Sequence, residues 1–146
     1  MLNNFPILKK YHKFIINDPI LKTEALFVIG CNTKKFIQIM QSYRIASKYY
    51  KYLDDDSTLG TVININLKNK RFRVVWVRDK NAPEEIVHEV FHLITGICYD
   101  RGIPIIADIG NGECGDEAAA YLMEYYIKNV FDKLGINNKI KKLSTV

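Results

Sequence analysis

The sequence predicts an α+β fold: a small antiparallel sheet packed against two helices from the second half of the chain. Three stretches carry this. Residues 61–67 (TVININL) alternate apolar with polar side chains, and residues 71–78 (RFRVVWVR) return after a short turn, as a half-buried hairpin does. Between Pro83 and Tyr99, apolar residues recur at helical spacing. A last apolar, alanine-rich stretch runs from Glu117 to Leu134.

At 146 residues the chain is long enough for one domain with its own core. Apolar residues at 48% and charged residues at 25% are usual for a soluble globular protein. No uninterrupted apolar run approaches the roughly 18 residues of a membrane span, so no membrane partner is expected. Residues 1–13 mix Asn, Pro and Lys and lack a signal-peptide core, which points to the cytoplasm. Cys31, Cys98 and Cys114 are an odd number without CxxC spacing, so a reducing compartment fits better than a disulfide framework. The net charge of +5 gathers at residues 68–73 and 139–142. No nucleic-acid motif accompanies it, and a solvated hairpin tip and tail are the preferred reading over a nucleic-acid footprint.

Taken in order, residues 1–23 are interrupted by Pro6 and Pro19 and read as an arm or a short helix. The domain proper spans residues 24–135. Residues 25–30 (ALFVIG) form a short buried strand ending in glycine. Thr33 is placed to cap a helix in which Phe36, Ile37, Met40 and Tyr43 share a face, fading by Tyr50. Residues 53–60 (LDDDSTLG) read as a loop, since their aspartates lack the glycine and terminal glutamate of a calcium loop. In the hairpin, Phe72, Val74 and Trp76 share one face and Arg73, Val75 and Val77 the other, with Trp76 a packing residue. Pro83 suits a first helical turn, and Glu84 and Glu85 complement its positive end. Residues 101–115 are loop-rich. Asp116 is expected to cap the last helix, Gly135 to end it, and residues 136–146 to form a polar tail.

Within the Pro83 helix stands His88-Glu89-Val90-Phe91-His92, an HExxH motif. Residues four apart lie on one helix face, so two imidazoles can hold one metal ion, with Glu89 in reach of water beside it. At about 100° per residue, Ile86, Val87, Val90, Phe91, Leu93, Ile94, Ile97 and Cys98 fill one core-facing arc. His88, Glu89, His92, Thr95 and Tyr99 fall opposite. The histidines are therefore not stray core residues, although a solvated polar face stays open as an alternative. Hydrolytic zinc usually takes a third protein ligand. The class using a histidine six residues after the motif is disfavoured, because Thr95 replaces its glycine and Cys98 its histidine. The class using a glutamate from a later helix finds Glu117, opening a stretch that is apolar on all sides from 118 to 123. A carboxylate buried there would need a partner such as a metal. Asp116 and Glu124 are its rivals.

The strand Val74-Val75-Trp76-Val77-Arg78-Asp79, the motif, and Asp116-Glu117-Ala118-Ala119-Ala120-Tyr121-Leu122 together resemble the small HExxH proteins of bacteriophages and prophages. Those are similar to the gluzincin branch of zincin metallopeptidases. The resemblance implies a minimal zincin-like domain in a bacterial host cytoplasm, with Zn2+ held by His88, His92 and Glu117. It also implies Glu89 as general base toward a zinc-bound water, and a peptide or protein as substrate. Larger gluzincins often carry an acidic residue four after the ligand glutamate, where this chain has Tyr121. Tyr121, Tyr99 and Asp116 are the candidates for a supporting or transition-state role. The alternative is a zinc-stabilised accessory protein that binds a partner without catalysis.

Overall fold

A computed structural model of the chain describes residues 11–53, 57–68, 70–103, 105 and 117–136. Four strands and three α-helices are found among them: β1 (His12–Asn17), β2 (Glu24–Ile29), α1 (Thr33–Ser42), β3 (Gly60–Leu67), β4 (Lys70–Val77), α2 (Pro83–Arg101) and α3 (Glu117–Leu134). A 3-10 turn at Ser47–Tyr49 follows α1.

The strands form one sheet in the order β1-β2-β4-β3. It is mixed rather than antiparallel. β1 pairs antiparallel with β2 and β3 with β4, but β2 and β4 run parallel at its centre. A parallel pair needs a long crossover, and the path through α1 and β3 supplies it. Parallel central strands are covered on both faces and read as continuous apolar runs, as ALFVI in β2 and VVWV in β4 do. The reading of residues 1–23 as an arm or short helix is corrected at residues 12–17, which form edge strand β1. Residues 1–10 lie outside the described residues.

One face of the sheet packs on α1, joining Leu26, Val28, Ile63, Ile65, Val74 and Trp76 to Phe36, Ile39 and Met40. Trp76 is fully buried, stacks on Phe36 at 5.1 Å and donates its indole N–H to the Cys31 carbonyl oxygen at 3.0 Å. The cap of α1 is Asn32, one residue before the expected Thr33: its side-chain oxygen accepts from the Lys35 amide at 2.8 Å. α1 ends at Ser42, earlier than its apolar pattern suggested, with Arg44 in a left-handed conformation.

The opposite face, with Phe27, Ile29, Val75 and Val77, packs on Ile86, Val90, Leu93, Ile94 and Ile97 of α2 and Leu122, Tyr126 and Val130 of α3. α3 buries only one stripe, Ala119, Leu122, Tyr126 and Val130. The expectation that residues 118–123 are enclosed on all sides is thus corrected, since Ala120 is exposed and Ala118, Tyr121 and Met123 are half-buried. Two helices on one side of a four-stranded sheet leave each an outer flank in water. Tyr126 donates or accepts a hydrogen bond with the Thr23 hydroxyl at 3.1 Å, and burial pushes its phenol up to about 12. The cap at Asp116 and the tail beyond Ile136 lie outside the described residues, as do Asp54, Asp55 and Asp56.

Candidate metal centre

α2 begins with Pro83 in its first turn and Glu84 and Glu85 against its positive end. It stops at Gly102, whose φ of 64° directs its amide back to the Cys98 and Tyr99 carbonyl oxygens. Across the sheet α2 lies over β4 and β3, and that crossing decides what each motif residue meets. His88 and His92 are exposed on the flank nearest β3. Their Nε2 atoms converge to 3.1 Å, with the rings 77° apart. Two imidazole nitrogens on one tetrahedral zinc at their usual bond lengths stand about 3.3 Å apart. The pair therefore fits a shared ion, which is what spacing on a helix was expected to achieve.

Glu89 lies deeper in the same hollow as the two histidines. It is 6% exposed, wedged between α2 and the start of β3. A Cβ on Gly60 would fall 2.8 Å from Glu89 Cγ and 2.9 Å from the Trp76 carbonyl oxygen. Only glycine permits this approach, so Gly60 belongs to the site although the sequence shows it merely as the end of a loop. A glycine opening a strand is the available signal. Burial pushes the Glu89 carboxyl above its ordinary value; His88 opposes the shift and Glu85 adds to it. Two residues placed on the core arc, Val87 and Phe91, are instead exposed at 39% and 52%. α2 is rolled toward β3, which exchanges them for Glu89.

The motif side chains line a depression of about 410 Å³ with Gly60, Thr61, Val62 and Asn64 of β3. From Asn64 it continues into a larger trough of about 770 Å³ between β3 and the C-terminal half of α2, past Thr95, Gly96 and Tyr99. β3 is an edge strand, and no strand among the described residues pairs with its outer side. Asn64, unremarked in the sequence, joins the two hollows.

The other expected site residues fall elsewhere. Glu117 is exposed at the first turn of α3, not buried, so the burial argument for it fails. Among the described residues no three His, Cys, Asp or Glu side chains gather closely enough to hold a metal ion, and Glu117 does not join the histidine pair in this arrangement. Its rival Glu124 is also exposed, and Asp116 lies outside the described residues. Tyr121 points its hydroxyl to Asp18 Oδ1 at 3.4 Å, by the β1–β2 turn. Tyr99 lines the trough and is 87% exposed. Cys98 is fully buried in the core, as the helical projection had it. The third histidine, His12, sits on β1 at the far edge of the sheet.

The fold defines the molecule as a small α+β domain with a four-stranded mixed sheet. Compared with known proteins, the chain matches no family model, no curated protein and no solved structure.

Proposed function

We propose that this protein is a zinc-dependent, peptidase-like hydrolase of the zincin type, its zinc held by His88 and His92 with Glu117 as third ligand. The observation that carries the reading is the convergence of the two Nε2 atoms at 3.1 Å beside a buried glutamate, at the head of a trough along a free strand edge. Glu117 stands as third ligand on this reading because the resemblance to gluzincins implies it. Zinc in such a site supplies Lewis acidity, acidifying water and polarising a carbonyl. The chain's own residues do the rest. Glu89 would accept one proton on a carboxylate oxygen from the water whose oxygen bonds to the peptide carbonyl carbon, and would return that proton to the amine nitrogen as the C–N bond breaks. The outer edge of β3 offers backbone groups to an extended peptide, which the trough beside α2 accommodates.

The test is metal content together with hydrolysis of a peptide library followed by mass spectrometry. About one zinc per chain is expected, lost in His88→Ala and in His92→Ala. Zinc retained in Glu117→Ala removes that residue from the site. Glu89→Gln should keep the metal and lower hydrolysis by at least ~100-fold; an equal rate in that variant sinks the mechanism. A second reading is a zinc-stabilised module that binds a partner without catalysis. Zinc bound without any hydrolysis by the unaltered chain would select it.

A further inference from the structure

Beyond the far end of the trough, a separate pocket of about 270 Å³ opens between the β1–β2 turn, the start of β4 and the C-terminal end of α2. Five cationic side chains line it: Lys22, Lys70, Arg71, Arg73 and Arg101. Among the described residues two carboxylates line it with them, and both are already engaged. Glu24 pairs with Lys70, and Asp100 is shared between Arg71 and Arg73. Three positive charges are left over.

Arg73 is the telling member. The sequence placed it in a solvated hairpin tip, yet it is 5% exposed on the inner face of β4. One Nη donates to Asp100, while its Nε–H has no hydrogen-bond partner among the described residues. A buried guanidinium with an idle donor is costly, and guanidinium Nε–H and Nη–H together form the fork that grips a carboxylate or phosphate. The neighbouring Arg71 Nε is already taken by Asn66 Oδ1 at 3.1 Å, so of this adjacent pair it is Arg73 that has the idle donor. The volume is below that of ordinary small-molecule sites. It suits one oxyanionic group and its remaining waters.

We propose that this pocket binds a single oxyanion, a phosphoryl or carboxylate group, with Arg73 as the buried donor, Lys22 as a solvent-side cation, and Lys70 beside it, drawn from its pair with Glu24 when the anion enters. The site is independent of the metal centre: it shares Arg71 and Asp100 with the trough but none of the motif residues. An anionic group held here therefore lies at one end of the groove that begins at His88.

The experiment is an amide-resonance titration of the full chain, in excess chelator, with inorganic phosphate and separately with acetylglycine. The exposed pair Lys22→Ala/Lys70→Ala perturbs the pocket without opening the core, and Lys48→Ala, on the opposite face of the sheet, is the control. Saturable one-to-one binding is expected, weakened at least tenfold in the double variant and unchanged in the control. Arg73→Gln, if its spectrum stays folded, should lose binding. Saturation by phosphate alone identifies a phosphoryl group, and saturation by acetylglycine alone a carboxylate. No saturation by either probe, or equal affinity in the double variant, overturns the proposal and leaves water as the partner of Arg73.

Discussion

At Glu89 one side chain carries two demands, since it must be buried against β3 and still be able to ionise. Its raised pKa means that the folded state prefers the protonated form. Stability from that preference is fully present below the ordinary value of 4.5 and is lost as pH rises through the higher folded value. Metal-free Glu89→Gln should therefore be more stable than the unaltered chain at neutral pH, with the difference closing toward pH 4. Urea titrations in chelator across that range would read it, and a constant difference would refute the account. Gly60 sets the companion prediction. Gly60→Ala drives a methyl into Glu89 Cγ and the Trp76 carbonyl oxygen, so it should cost about 1–3 kcal/mol of stability. It should also reduce any hydrolysis more than it reduces zinc affinity, because the side chain the new methyl meets most closely is Glu89. Thermal melts and metal competition would separate the two effects.

Between elements, a shared ion pair joins β4 to α2. Arg71 and Arg73 both donate to Asp100 near the end of the helix. Desolvation raises the Asp100 carboxyl, but hydrogen bonds and charge from Arg71 and Arg73 outweigh it and hold it below the ordinary 3.8. A depressed acid stabilises the fold above its ordinary value and loses that contribution as pH falls through the folded one. Acid unfolding of Asp100→Asn should accordingly be less steep below pH 4, and the variant less stable at pH 7. On the other face, α1 is seated by Trp76. Trp76→Phe strips the hydrogen bond to the Cys31 carbonyl oxygen and should cost about 1–3 kcal/mol. Denaturant melts would show a smaller loss if water reaches that oxygen.

Across the whole molecule, α1 covers one face of the sheet and α2 with α3 the other, so the candidate metal centre sits at the rim where α2 meets edge strand β3. A ligand bound only by the folded chain stabilises it by mass action, about 2.7 kcal/mol at a hundred times its Kd. For a domain of this size that raises Tm by about 5–10 °C. Zinc should produce such a shift in the unaltered chain and none in His88→Ala/His92→Ala; the same shift in both would place the metal elsewhere. No helix among the described residues is long and apolar enough to cross a membrane.

What could be read from the chain alone was whatever repeats over short distances. Alternation in TVININL marked β3, and RFRVVWVR, returning after a short turn, marked β4 and its two faces. Pro83, the early glutamates and the i, i+4 histidines marked α2 and the converging imidazoles. Residues 25–30 announced β2 by their unbroken apolar run. Tertiary structure decided what depends on distant partners. Parallel pairing of β2 with β4 and recruitment of residues 12–17 as β1 are matters of register between segments far apart in sequence. The roll of α2 about its axis is likewise set by packing on the sheet, which buries Glu89 at Gly60 and exposes Val87 and Phe91, while α3 buries a single stripe that does not include Glu117. A helical projection knows the angle between residues but not where zero lies, because that origin is chosen by the sheet beneath the helix. The motif at His88 was therefore legible as a pair of ligands, while the chemistry around it belongs to the fold.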